Sequence, residues 1–374
     1  SLDSLDLRST VMADLILPAL SGIADDELNI DTFNAIARTA WSDTVAAADQ
    51  HNDPGTFTTF AGFEYTTTAL DGGNLHRNVI FRSTNKLPAM PFSRFNSRNP
   101  EDLWNWMDDL RSQGIEAMAI PHNSNGSNGQ MFSLVDWAGD AVDDNYASQR
   151  LRNEPLVEIT QIKGTSETHP AISPYDEWAD FEIMPFMVSI DQTRGSKVKG
   201  SYVRDAMLSG LKLQQDIKVN PYRFGLIGSS DTHNAATSDD ESSYFMKMGL
   251  RDSTPELRGS VPLTGESLAK ARNLMDENQE GQQWQRFIDI DGEIYTNGPQ
   301  IHWGASGLAG VWAAGNDRNS IYDAFRRKET FATSGTRIKL RFFASFDFAK
   351  LSIGDPDLLT KAYSSGITMG SNLP

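Results

Sequence analysis

Cysteine is absent from the 374 residues, which excludes disulfides, thiolate metal ligands and a cysteine nucleophile. No run approaches the roughly 18 apolar residues of a membrane span, and no signal peptide is visible. The chain opens at Ser1 without Met, as expected of a processed or excised piece. Basic residues are outnumbered, 33 against 50 acidic ones, for a formal net charge of -17. Such a surface repels phosphate backbones and anionic membranes, so a nucleic-acid partner is not expected. An anionic small molecule is not excluded, because a metal cluster reverses the sign of charge inside a cleft. There is no GxxxxGK[ST] or GxGxxG loop after a strand and no GxSxG elbow, which leaves glycine-loop nucleotide cradling and serine-hydrolase chemistry unsupported. Repeats, heptads and low-complexity segments are missing too.

A hydrophobic content of 39% with 10% aromatics indicates a globular chain with a real core. Helix patterns run through "STVMADLILPALSG", broken near Pro18, and through "DDELNIDTFNAIARTAWSDTVAAADQHND", stopped by "NDPG". Others lie in "SRNPEDLWNWMDDLRSQG" and "KGSYVRDAMLSGLKLQQDI". Between them fall strand candidates, "TFTTFAGFEYT", "LHRNVIFR", "IEAMAIPHN", "EPLVEITQIKG" and "RFGLIGSSDTHN". Alternating strands and helices predict a parallel α/β architecture, open sheet or barrel, whose sites collect at the carboxyl ends of strands. The polar, Gly-rich "NSNGSNGQMFSLVDWAGDAVDDNYASQ" reads as a lid or rim loop. After about residue 255 the character changes, so 1–254 is expected to form the main domain and 255–374 an extension packed on it. In that extension Ile321, Ala324 and Phe325 are expected inside, with Arg326, Arg327 and Lys328 toward solvent or the cleft.

The strand ends carry the chemistry. Glu64, His122, Glu158 and the pair Asp231/His233 each close an apolar run, and carboxylates with imidazoles suit a hard-to-borderline divalent ion. On a strand, positions two apart share a face, so Asp231 and His233 are expected to converge. Taken singly, each admits a plainer role as a capped turn or a solvated edge. Jointly they form a constellation. Zinc or manganese, with iron possible, fits the O and N donors, and no organic cofactor is expected. Arg77 and Lys163 are the cations expected to hold an anionic substrate, and Asn123, able to orient His122, is expected to bind substrate with them. Among the other histidines, His51 ends a helix, His302 has aromatic company, and His169 lies in "KGTSETHPAISPYDEWADFE", a segment dense in polar groups that also reads as a capped loop.

The segments "FAGFEYT", "NLHRNVIF", "IPHN", "KGTSETHPAISPYDEWADFE", "GLIGSSDTHN", "GLAGVWA" and "RRKETFATSGTRIKLRFF" together resemble the bacterial family filed as domain of unknown function 3604. That family is similar to the PHP (polymerase and histidinol phosphatase) superfamily of metal-dependent phosphoesterases. The resemblance implies an α/β fold, a distorted (β/α)7 barrel with C-terminal additions packed on it, and a di- or trinuclear site at its mouth. It implies a metal-bridging role for Glu64, ligand roles for His122, Asp231 and His233, and a variable ligand at Glu158. His76 and His169 lie in blocks of the narrower family and are expected to be catalytic, facing substrate or adjacent to metal. The expected activity is hydrolysis of a small phosphoester or related anionic ester, and a periplasmic or secreted location is favoured over a cytoplasmic one. The superfamily's first His-x-His strand and Asp-His pair have no counterpart here, so the expectation is that they lie outside this sequence and that this chain by itself is inactive. The alternative reading is a non-catalytic ligand-binding module on a metal-depleted barrel.

Overall fold

The computed structural model describes residues 30–187, 194–233, 240, 254–277, 287–297, 303–346, 352 and 354–372. The opening helix pattern and His302 lie outside them. Helix α1 (Ile30–Gln50) covers the first sheet, formed by β1 (Gly62–Tyr65), β2 (Arg77–Phe81) and β3 (Ala117–Pro121). Helix α2 (Pro100–Ser112) starts where Asn99 accepts from the Glu101 amide and Pro100 presets the first turn. Helix α3 (Asp144–Asn153) leads into β4 (Leu156–Gln161) and the short β5 (Gly164–Thr165). Helix α4 (Val203–Ile217) leads into β6 (Gly225–Gly228).

Among the described residues, parallel pairing of the expected kind is seen between β4 and β6. The order β1-β2-β3 is antiparallel throughout. Between β1 and β2 runs a helix-free loop, and a parallel return needs a longer crossover. Among the described residues the strands form small sheets that lie against one another: β5-β4-β6 beside β1-β2-β3, with β7 (Gly307–Val311) and β8 (Thr330–Ser334) against β6. Close backbone approach makes that last junction. The Gly307 amide donates to the Ser229 carbonyl at 2.7 Å, and a Cβ on Gly307 would meet that oxygen at 2.5 Å.

The two-residue period of the pleat sorts the side chains. On β3, Ala117 and Ala119 face a cluster with Trp41, Tyr65, Val79, Phe81, Leu103 and Met107. Met118 and Ile120 face the other way, meeting Leu156 of β4, Ile227 of β6 and Tyr322. Val157 of β4 turns from that interior to pack with Val203, Tyr222 and Phe224. Helix α5 (Arg318–Arg327) covers the junction, with Tyr322 and Ala324 buried and Phe325 tilted against Phe60 at 6.1 Å. Ile321 and Phe325 are only half-buried. Lys328, expected toward solvent or cleft, instead donates to the Arg223 carbonyl, and burial pushes its pKa down to about 8.

The first part of the expected lid or rim loop is interior, whereas Val135, Trp137 and residues 138–141 stay at the surface. Asn123, Ser124, Asn125 and Ser127 are buried, because the loop's polar groups find partners: Ser127 on Ser201 at 3.2 Å, Asn128 on Asp71 at 2.8 Å and Asn125 on the Lys163 carbonyl at 3.0 Å.

Beneath the first sheet sits a buried ionic triad. Arg77 Nε donates to Glu154 Oε1 at 2.9 Å, Arg150 Nε to Glu154 Oε2 at 3.0 Å, and Trp104 Nε1 to Glu154 Oε1 at 2.8 Å. Burial works to raise the Glu154 carboxyl, but the two guanidinium charges outweigh it and hold the group below its usual range. Such a depressed carboxylate contributes stability above its unfolded pKa and loses it as pH falls through the folded value. Glu154→Gln leaves two buried guanidinium groups short of their countercharge. It is expected to cost about 3–5 kcal/mol in urea denaturation at neutral pH, and to flatten the acid limb of stability against pH.

Candidate metal centre

Alternation carries the site residues to one face. Glu64 pairs with Asn78 across β1 and β2, and Asn78 pairs with Ile120 on β3. One step further along the same face His76 and His122 stand side by side, the His122 amide donating to the His76 carbonyl at 3.3 Å. His76 Nδ1 lies 2.7 Å from Glu64 Oε1, and His122 Nε2 lies 3.6 Å from the same oxygen. The rings meet edge-on at 5.7 Å between centroids. All three residues offer ligand atoms within 4.8 Å of one another. His122 is buried, while the Glu64 side chain remains 36% exposed, so the group opens to solvent through the carboxylate.

The geometry suits a divalent ion. Ligand atoms at about 2.1 Å from a tetrahedral ion stand about 3.4 Å apart. The His122–Glu64 spacing is already near that. The His76–Glu64 contact is a hydrogen bond and has to open by about 0.7 Å to admit an ion. His122 Nδ1 and Asn123 Nδ2 are buried without a hydrogen-bond partner, a cost of about 1–3 kcal/mol each that a bound polar group would remove.

Burial works to raise the Glu64 carboxyl, yet its contacts with His122 and His76 dominate and hold it well below the carboxylate range. Burial lowers His76 despite Glu64. At His122 burial opposes the charge, but Glu64, Glu158 and Asp231 outweigh it and raise the pKa.

Glu158 and Lys163 extend the site. Leu156 and Glu158 are two apart on β4, and Ile227 and Ser229 two apart along β6 and its exit, so Glu158 and Ser229 meet on the interior face. Ser229 Oγ donates to Glu158 Oε2, and the Asn123 amide donates to Oε1 at 3.3 Å. Burial raises the Glu158 carboxyl. Lys163 Nζ lies 2.5 Å from Asp231 Oδ2 and donates to Asn123 Oδ1 at 2.9 Å.

Several expectations need correction. Asp231 and His233 do not sit on a strand: β6 ends at Gly228, and Asp231 has φ 53°. A turn, not pleat alternation, brings His233 Nδ1 to 2.8 Å from the Asp231 carbonyl, with His233 at the rim. Glu158, Asp231 and His233 are outside the three-residue group, whereas His76, expected to be catalytic, is inside it. Arg77 cannot hold substrate. It follows His76 on β2, so the pleat turns it to the opposite face, where it is 2% exposed and bound to Glu154. His169 contacts the Ala171 amide at 3.1 Å and the Tyr202 ring at 5.4 Å, and neither residue belongs to the cluster.

Sequence reasoning missed Asn74. Its Oδ1 accepts from the His76 amide at 3.0 Å, and its Nδ2 donates to the Asn123 carbonyl at 3.2 Å. One buried amide thus fixes the backbone on which both imidazoles ride. Its place two residues before His76 was the only signal.

The profile of the family described as "Protein of unknown function (DUF3604)" matches residues 10–374, so the chain belongs to that family. No curated protein and no solved structure matches it. Among the described residues no helix is long and apolar enough to cross a membrane.

If Glu64, His76 and His122 bind an ion, Asn74→Ala is expected to weaken zinc or manganese binding about 10–100-fold by releasing the ligand backbone. His169→Ala is expected to leave it unchanged. Isothermal titration of both variants measures this.

Proposed function

We propose that this chain is the core of a metal-dependent hydrolase of PHP type, acting on a phosphoester or related anionic ester. Its sheets are read as part of a distorted barrel. The observation that carries the proposal is one carboxylate, Glu64, contacted by the imidazoles of His76 and His122 at a partly open face. Zinc or manganese suits the two nitrogens and one oxygen offered.

A divalent ion there supplies Lewis-acid polarisation of the ester and an activated water near neutral pH. Glu64 and the two imidazoles would hold that ion, with the proton between His76 and Glu64 given up to solvent. The chain's own donors receive the substrate anion: Asn123 Nδ2, buried and unpartnered, points to this role, and Lys163 reinforces the positive field beside it. Glu158, whose carboxyl burial raises above its usual range, is the group we assign to give a proton to the leaving oxygen. The polar loop of residues 122–130, packed inside the fold, keeps these donors in place.

With manganese or zinc added, this chain or a longer one carrying the superfamily's earlier motifs is expected to hydrolyse a generic phosphomonoester or phosphodiester. Glu64→Gln is expected to lower the rate at least 100-fold, about 2.7 kcal/mol of transition-state stabilisation. Absence of metal-stimulated turnover on any phosphoester or sulfate ester removes the substrate class. The ion pair of Lys163 with Asp231 favours a second reading, a binding module that carries its own cation. Protein that takes up no metal yet binds a small anion tightly decides for that module.

A further inference from the structure

We propose that the Lys163 ammonium stands where a second cation would sit, so that this chain takes up one divalent ion, at Glu64, His76 and His122, and not two. The inference rests on the metal-site reading above and specifies its stoichiometry.

Lys163 is held from both ends. Its amide donates to Gln161 Oε1 at 3.0 Å, and its carbonyl accepts from Asn125 Nδ2 at 3.0 Å. The backbone at the β4–β5 turn is therefore fixed by buried neighbours, independently of any ion. From there the stem reaches across to Asp231 Oδ2 at 2.5 Å and Asn123 Oδ1 at 2.9 Å. Both partners are oxygen acceptors of the kind a divalent cation takes. Both also sit on left-handed backbone, φ 52° for Asn123 and 53° for Asp231, so each side chain is presented from a turn that Asn and Asp tolerate better than other residues. Only 16% of the Lys163 side chain and 12% of the Asp231 side chain are exposed, so solvent does little to screen the pair.

Charge balance points the same way. One divalent ion and one ammonium already offset the carboxylates of Glu64 and Asp231. A second divalent ion beside Lys163 would leave the pocket positively charged and would have to displace the ammonium from Asp231. Lys163 thus acts as a built-in monovalent cation, its charge fixed in the chain and its removal costing a buried ion pair.

The test is metal stoichiometry of the full chain, stripped with chelator, loaded with excess manganese or zinc, gel-filtered and measured by elemental analysis. The expected result is one equivalent for the unaltered chain and for Lys163→Arg, and two for Lys163→Ala and Lys163→Met. Lys163→Met keeps the aliphatic stem, so packing is retained where Lys163→Ala disturbs it. Adding Asp231→Asn to Lys163→Met is expected to return the count to one. Two equivalents in the unaltered chain overturn the inference and leave the hydrolase reading standing. One equivalent in both Lys163→Ala and Lys163→Met, with thermal unfolding still cooperative, overturns it as well. No uptake by the unaltered chain removes the metal-site reading, and this inference with it.

Discussion

Successive side chains of a strand leave opposite faces, and in this chain that constraint puts the candidate ligand residues on the interior face, beside Met118, Ile120, Leu156 and Ile227, and away from the face packed on the helices. Along β1, β2 and β3 it sends Glu64, His76 and His122 inward while Phe63, Val79 and Ala119 pack outward against α1 and α2. Along β4 and β6 it sends Glu158 and Ser229 to the same interior while Val157 and Leu226 pack outward. A register slip of one residue would move the whole set to the wrong face. The apolar clusters therefore fix the site, because their burial sets the register that makes carboxylate and imidazole meet.

The electrostatics follow from that placement. The chain as a whole is strongly acidic, yet its inward carboxylates find partners within the fold, Glu158 among them through Ser229 and the Asn123 amide. Glu154 is clamped by Arg77 and Arg150, Asp231 by Lys163, and Glu64 by two imidazoles. The first arrangement is fully buried, with guanidinium donors also taken up by the Leu75 and Met131 carbonyls, so it serves the fold. The Glu64 arrangement is open on one side, and its partners are imidazoles, which can give up a proton. Exposure and an exchangeable proton set it apart from the Glu154 cluster and are what the metal-site proposal rests on.

Much of this was legible in the sequence. The strands that carry Glu64 and Glu158, and the one that ends just before His122, could be read from their apolar runs. The antiparallel order was not legible, because it depends on which strands pair, and local pattern does not encode that. Arg77 was misread because it follows His76 in the chain, although the pleat forces neighbours apart. The convergence of Asp231 and His233 was expected for the wrong reason: the strand stops at Gly228, and a left-handed turn does the work. Asn74 gave no signal of its own, since an Asn that braces two backbone segments looks like any loop Asn until both are in place.

The central claim is that Glu64, His76 and His122 surround one position for a divalent ion. Anomalous diffraction from crystals of the chain grown with manganese or zinc tests it most directly. The account expects a single peak about 2.0–2.2 Å from Glu64 Oε1, His76 Nδ1 and His122 Nε2, with the His76–Glu64 hydrogen bond opened. A peak elsewhere, or no peak with that 2.7 Å contact intact, would contradict it.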